Sequence, residues 1–208
     1  MENELEGMNV QQENFLVPTV HYLKSGIHIG TKFKTKYMQK FIYKTRPDGL
    51  SVLNIQKIDE RIRVAASFLS QYNSEDILIV SRRETGNSAL KLFNKVTGIH
   101  VMTGRYPPGM MTNINLTNFI EPKMVLVTDA WPDRNAVMDA NKVGIPVIAL
   151  CDTNNQANFI DVVIPCNNKG KKSLGLFFYL LAVEYMKIKG RITSADQLGA
   201  TMEDFTEK

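Results

Sequence analysis

Residues 121–155 read EPKMVLVTDAWPDRNAVMDANKVGIPVIALCDTNN. Met124–Val127 is an uninterrupted apolar run, and so, apart from its proline, is Ile145–Leu150. Between them Ala136, Val137, Ala140 and Val143 fall on one stripe at helical spacing. Continuous rather than alternating apolar runs point to strands covered on both faces. Two such strands joined by a helix point to a parallel pair, since a parallel pair needs a crossover connection.

The same grammar extends outward. Further β-rich runs occur at Leu50–Ile55, Ile77–Val80, Ile99–Met102 and Val162–Ile164. Helical stripes occupy 57–72 (Ile58, Ile62, Ala65, Ala66, Leu69), 85–97 (Ala89, Leu90, Phe93, Val96) and about 172–189 (Leu176, Tyr179, Leu180, Val183, Met186). Strands alternating with helices predict an α/β fold, a doubly wound and mostly parallel sheet. The expected organisation is one domain over 14–190, its first part (14–47) a basic N-terminal extension, between flexible acidic tails at 1–13 and 191–208.

The 208 residues are 44% hydrophobic and 22% charged, enough for a core and too apolar for general disorder. The start is acidic and lacks the basic and apolar stretches of a secretory signal. The longest apolar run, Leu174–Val183, is far shorter than the roughly 20 residues of a membrane span. Cys151 and Cys166 sit in or beside apolar runs, without C-x-x-C pairs, and read as buried thiols of a cytosolic protein.

Net charge is only +4, from 25 bases and 21 acids, but it is unevenly placed. Residues 14–190 carry 23 bases against 13 acids. From 14 to 47 there are seven bases and no acid: Lys24, Lys32, Lys34, Lys36, Lys40, Lys44 and Arg46. Phe33, Tyr37, Phe41 and Tyr43 are interleaved with them. Lysines neutralise phosphates and release counterions, and aromatic faces stack on exposed bases. His28 lies within this stretch. Further patches of the same sign follow predicted strands: Arg82 and Arg83; Gly104-Arg105 with the loop to Asn113; and Asn167, Asn168, Lys169, Lys171 and Lys172. In a parallel sheet these loops emerge on one side. The pattern predicts phosphate and shape recognition of folded RNA, with no reading helix for duplex DNA.

The competing reading is a nucleotide- or metal-binding α/β enzyme using the strand-end Asp129 and Asp152. Against it, Asp and Asn at strand exits form turns and caps, and no G-x-G-x-x-G or G-x-x-x-x-G-K-[ST] loop is present. The three histidines are not spaced as a metal set, and no nucleophile has a distinguishing context. No cofactor is expected. A third reading is a free-standing RNA-binding regulator.

Several segments are distinctive: SGIHIGTKFKTKYMQKFIYKTRPDGLSVLNIQKIDERI (25–62), ILIVSRRETG (77–86), TGRYPPGMMTN (103–113), EPKMVLVTDAWPDRNAV (121–137), VGIPVIALCDTNN (143–155) and DVVIPCNNKGKKSLGL (161–176). Through them the chain resembles the small-subunit ribosomal protein S2 family in its archaeal and eukaryotic form. The resemblance implies a flavodoxin-like three-layer fold and no catalysis. It also implies a cytoplasmic place between head and body of the small subunit, in contact with ribosomal RNA and neighbouring ribosomal proteins, without membrane association and without a stable homo-oligomer. The family's signature positions fall here on Gly104, Arg105, Thr112, Asn113, the NNKGKK loop and the HIG turn. The chain lacks the long insertion of the bacterial branch after Asn113 and the long C-terminal extension of animal members. Ala130-Trp131 stands where archaeal relatives usually carry Pro-Arg.

Overall fold

Five of the apolar runs pair side by side in one parallel sheet in a computed structural model that describes residues 15–207. The acidic stretch 1–13 lies outside the described residues. The elements in chain order are α1 (Thr19–Ser25), β1 (Ile42–Thr45), β2 (Ser51–Leu53), α2 (Ile55–Ser70), β3 (Ile77–Ser81), α3 (Asn87–Thr97), β4 (His100–Thr103), β5 (Met124–Val127), α4 (Arg134–Val143), β6 (Val147–Cys151), β7 (Val162–Pro165), α5 (Lys171–Ile188) and α6 (Met202–Glu207).

The sheet order is β4-β3-β5-β6-β7, and every neighbouring pair is parallel. Counted within the sheet this is 2-1-3-4-5, the flavodoxin-like doubly wound order, with its reversal between β3 and β5. β3, β5 and β6 are buried throughout, as their unbroken apolar runs require, whereas β4 at one edge is exposed at both ends. The β3-α3-β4 and β5-α4-β6 crossovers step in opposite directions. Right-handed connections therefore place α3 and α4 on opposite faces of the sheet. α5 packs against α2 and α3, so these three share a face.

Local chemistry sets the helix limits. The Asn54 side chain accepts from Gln56 N–H at 2.9 Å and caps α2, whose buried stripe is the predicted Ile58, Ile62, Ala65, Ala66 and Leu69. α4 ends on Gly144 at φ 83°, a left-handed position that favours glycine. α5 is buried on most of its surface, including Phe177, Phe178, Leu180 and Leu181, because α1, α2, α3 and α6 surround it.

Two expectations are corrected. The run Leu50–Ile55 supplies β2, which stands outside the parallel sheet and pairs antiparallel with β1. Segment 191–208 is not a loose tail over its described part: α6 docks on α5 with Phe205 fully buried. Gly175 makes this approach possible, since a Cβ there would stand 2.3 Å from the Phe205 carbonyl oxygen.

Candidate nucleic-acid interface

The basic segment is built into the domain. Asp59, buried on α2, accepts from Leu16 N–H at 3.1 Å, from the Tyr22 hydroxyl and from Arg63 Nε at 2.9 Å, which ties α1 down. Burial, and then the Asp59 carboxylate, raise the Tyr22 hydroxyl well above the ordinary phenol range, so it stays a donor. The chain then crosses the carboxyl ends of β6 and β7. Thr31 N–H donates to Thr153 Oγ1 at 2.9 Å, Thr35 N–H to the Thr153 carbonyl at 2.9 Å, and Thr35 Oγ1 to the Asn155 carbonyl at 2.9 Å. Asn167 N–H donates to the Ile27 carbonyl at 2.9 Å. Gly30 sits at the closest approach, where a Cβ would lie 2.5 Å from Thr153 Cγ2.

Lys24, Lys32, Lys34, Lys36, Lys40 and Lys44 all project from this docked segment into solvent, and Arg46 is half-buried. Lys40 Nζ lies 3.8 Å over the Tyr37 ring, a cation–π contact. Of the interleaved aromatics, Phe41 is core, whereas Phe33 is 72% exposed and Tyr43 is 58% exposed. Arg82 and Arg105 are exposed just after β3 and β4, as are Asn113 further along the loop after β4 and Lys171 and Lys172 at the start of α5.

Several sequence-predicted contacts instead serve the fold. His28 is buried, with Nδ1 3.4 Å from the Tyr22 carbonyl oxygen, and desolvation lowers its pKa, so the ring is neutral at neutral pH. Asn168 is fully buried, its amide directed at the Leu150 carbonyl. Asn167 accepts from Lys169 N–H at 3.1 Å and Gly170 N–H at 3.3 Å, and donates to the Gly26 carbonyl. The side chain of Asn167 and the amide donor of Asn168 are thus directed into the chain rather than outward. Lys169 Nζ is 2.9 Å from Asp152 Oδ2, and Arg83 donates Nε to Asp129 Oδ2 at 2.8 Å.

The two strand-end aspartates are consumed by those contacts. Asp129 also accepts from the Asn155 amide at 2.8 Å and from Trp131 N–H at 3.1 Å. Asp152 Oδ1 accepts from Thr153 N–H at 2.6 Å. Both carboxylates are buried and tie neighbouring strand ends together, an arrangement that accounts for them without a bound cation. Among the described residues, no group of three or more His, Cys, Asp or Glu is placed to hold a metal ion, and no helix is long and apolar enough to cross a membrane. A third aspartate, Asp133, accepts from Arg82 N–H at 3.0 Å, and desolvation pushes its pKa up to about 6. Burial likewise raises the Cys151 and Cys166 thiols, which are free, protonated and unreactive.

A family profile described as ribosomal protein S2 matches residues 22–121 and 115–186. The chain belongs to the ribosomal protein S2 family. It is 47% identical over 193 residues to the small ribosomal subunit protein uS2 of Nanoarchaeum equitans (strain Kin4-M), covering 93% of this chain and 96% of that one. It is 47% identical over 199 residues to the protein of the same name from Methanococcus maripaludis (strain C5 / ATCC BAA-1333), covering 96% and 90%.

Within this S2 fold the loop from Gly104 to Asn113 is held from beneath. Asp139 on α4 accepts from Gly109 N–H at 2.7 Å and from the buried Tyr106 hydroxyl at 3.3 Å. Sequence reasoning missed Thr31, Thr35 and Thr153, which carry the docking of the basic segment. Their partners lie more than a hundred residues apart, and no local pattern marks them.

Proposed function

We propose that this chain is a non-enzymatic structural component of the small ribosomal subunit in the cytoplasm. It binds ribosomal RNA and neighbouring ribosomal proteins across the carboxyl edge of its parallel sheet. The observation that carries this reading is the docked segment 27–46. Its lysines are exposed while its backbone is pinned to Thr153 and Asn167 and its Thr35 hydroxyl to Asn155. The cations are therefore presented from a fixed surface, which lowers the ordering cost of phosphate contacts. The names of the S2 relatives support the ribosomal assignment, and the engagement of Asp129 and Asp152 in internal ion pairs disfavours the enzyme reading.

Sucrose-gradient sedimentation tests it: the chain co-migrates with small subunits, and protein that stays at the top of the gradient at low salt overturns the reading. Replacing Lys32, Lys34 and Lys36 by Gln reduces the slope of log affinity against log salt by about one unit per lost phosphate contact. An unchanged slope removes the segment from the interface.

A further inference from the structure

Between the ends of β3 and β5, where the sheet order reverses, an open cleft of about 590 Å³ is lined by Arg82, Arg83, Trp131 and Pro132. Ligands of doubly wound sheets bind at this reversal. Trp131 is 74% exposed, although its burial would remove a large apolar surface from water. The indole stands on a fixed turn: Trp131 N–H donates to Asp129 Oδ1 at 3.1 Å, Pro132 restricts the next φ, and Asp133 N–H donates to the Asp129 carbonyl at 3.3 Å. Arg82 and Arg134 are exposed on the adjoining turns and Arg83 is half-exposed. Of the nearby carboxylates, Asp129 and Asp133 are buried and accept internal hydrogen bonds, which leaves Glu84 as the exposed one on these turns. The surface thus offers a rigid aromatic plane beside the exposed Arg82 guanidinium.

We infer that this cleft receives one unpaired nucleotide of RNA, its base stacked on Trp131 and its phosphate held by Arg82. The inference deepens the RNA-binding reading above and rests on it. A planar base matches the indole face, and the flanking charge matches a phosphate. The same network joins the cleft to the lysine segment. Trp131 and Asn155 both donate to Asp129 Oδ1, and the Asn155 carbonyl accepts from Thr35, which lies between Lys34 and Lys36. A strand passing from those lysines to the cleft stays on one side of the sheet.

Trp131 is the chain's only tryptophan, so its fluorescence reports the site directly. Titration of the full chain with a hexa-adenylate RNA gives saturable quenching that weakens with salt, whereas inorganic polyphosphate of equal charge leaves the emission unchanged. Trp131→Ala weakens RNA binding roughly 5- to 150-fold and Trp131→Phe retains most of it, the range expected for one stacked base. Neither change moves the thermal midpoint. Quenching by polyphosphate equal to that by RNA, no quenching, or unaltered affinity in Trp131→Ala overturns the assignment. Tighter binding of AMP than of the oligomer also overturns it. In assembled subunits a photo-crosslinking residue at position 131 captures ribosomal RNA; capture of a ribosomal protein instead overturns it. If the chain co-sediments with small subunits but the quenching is absent, the cleft assignment fails alone. Failure to co-sediment defeats the ribosomal reading itself.

Discussion

The Arg83 guanidinium clasps the Asp129 carboxylate across the gap between β3 and β5, with Nε 2.8 Å from Oδ2. Asp129 is almost wholly buried, while Arg83 is about one-third exposed. Removing the arginine strands a buried charge supported only by the Asn155 amide and the Trp131 N–H. The expected loss for Arg83→Ala is about 1–3 kcal/mol, less than for a fully buried pair because water reaches the guanidinium. Asp129→Asn, which removes the charge and retains an acceptor, costs less. Urea denaturation of both variants reads the order directly, and the reverse order contradicts this account.

The Gly30 contact makes a paired prediction. Gly30→Ala drives a methyl group into Thr153 and Ser51, and an overpacked close approach costs about 1–3 kcal/mol. Thr153→Ser removes the nearest atom, Cγ2, and keeps the hydroxyl that accepts from Thr31. The double variant is therefore more stable than the sum of the single effects predicts. A double-mutant cycle with zero coupling would show that the two sites do not touch.

Asp133 gives a pH dependence whose sign is opposite to the common carboxylate case. Its folded pKa, about 6, lies above the unfolded value, so between about pH 4 and 6 the native state holds the extra proton. Stability from this group is full below the unfolded pKa and declines as pH rises through 6. Asp133→Asn keeps an acceptor for Arg82 N–H and removes the ionisation. The melting-temperature difference, Asp133→Asn minus wild type, is more positive at pH 7.5 than at pH 4.5. A difference independent of pH contradicts the assignment.

Lys169, in the loop before α5, and Lys172, in the first turn of that helix, separate folding from binding. Lys169→Glu sets a second carboxylate against the buried Asp152 and lowers stability by about 1–3 kcal/mol. Lys172→Glu, at an exposed position, leaves the midpoint within about 0.5 kcal/mol while weakening association with the small subunit. Parallel melting curves and gradient sedimentation measure both effects.

The parallel sheet was legible because β3, β5 and β6 are covered on both faces and so read as unbroken apolar runs. Met124–Val127 matches β5 at both ends. β1 escaped because Ile42–Thr45 is mostly exposed and carries no such run, and without it the role of β2 as a hairpin partner is invisible. The acidic charge of 191–208 concealed a docked helix, since one buried Phe205 against Gly175 decides the packing. Sequence located the basic loops, but it could not sort which of their members face outward. Lys171 and Lys172 point outward while Asn168 turns inward, a difference set by contacts with distant Leu150 and Asn155.

The anchors of the lysine segment also impose a timetable on synthesis. Thr31 and Thr35 meet partners 122 and 120 residues later, and Asn167 reaches back 141 residues to Gly26. A ribosome adding about 5–20 residues per second leaves that segment without its seat for roughly 6–24 seconds. During that interval the nascent chain carries a string of unseated cations past nucleic acid of every kind. The surface that fixes them is completed only when the last two strands of the sheet emerge.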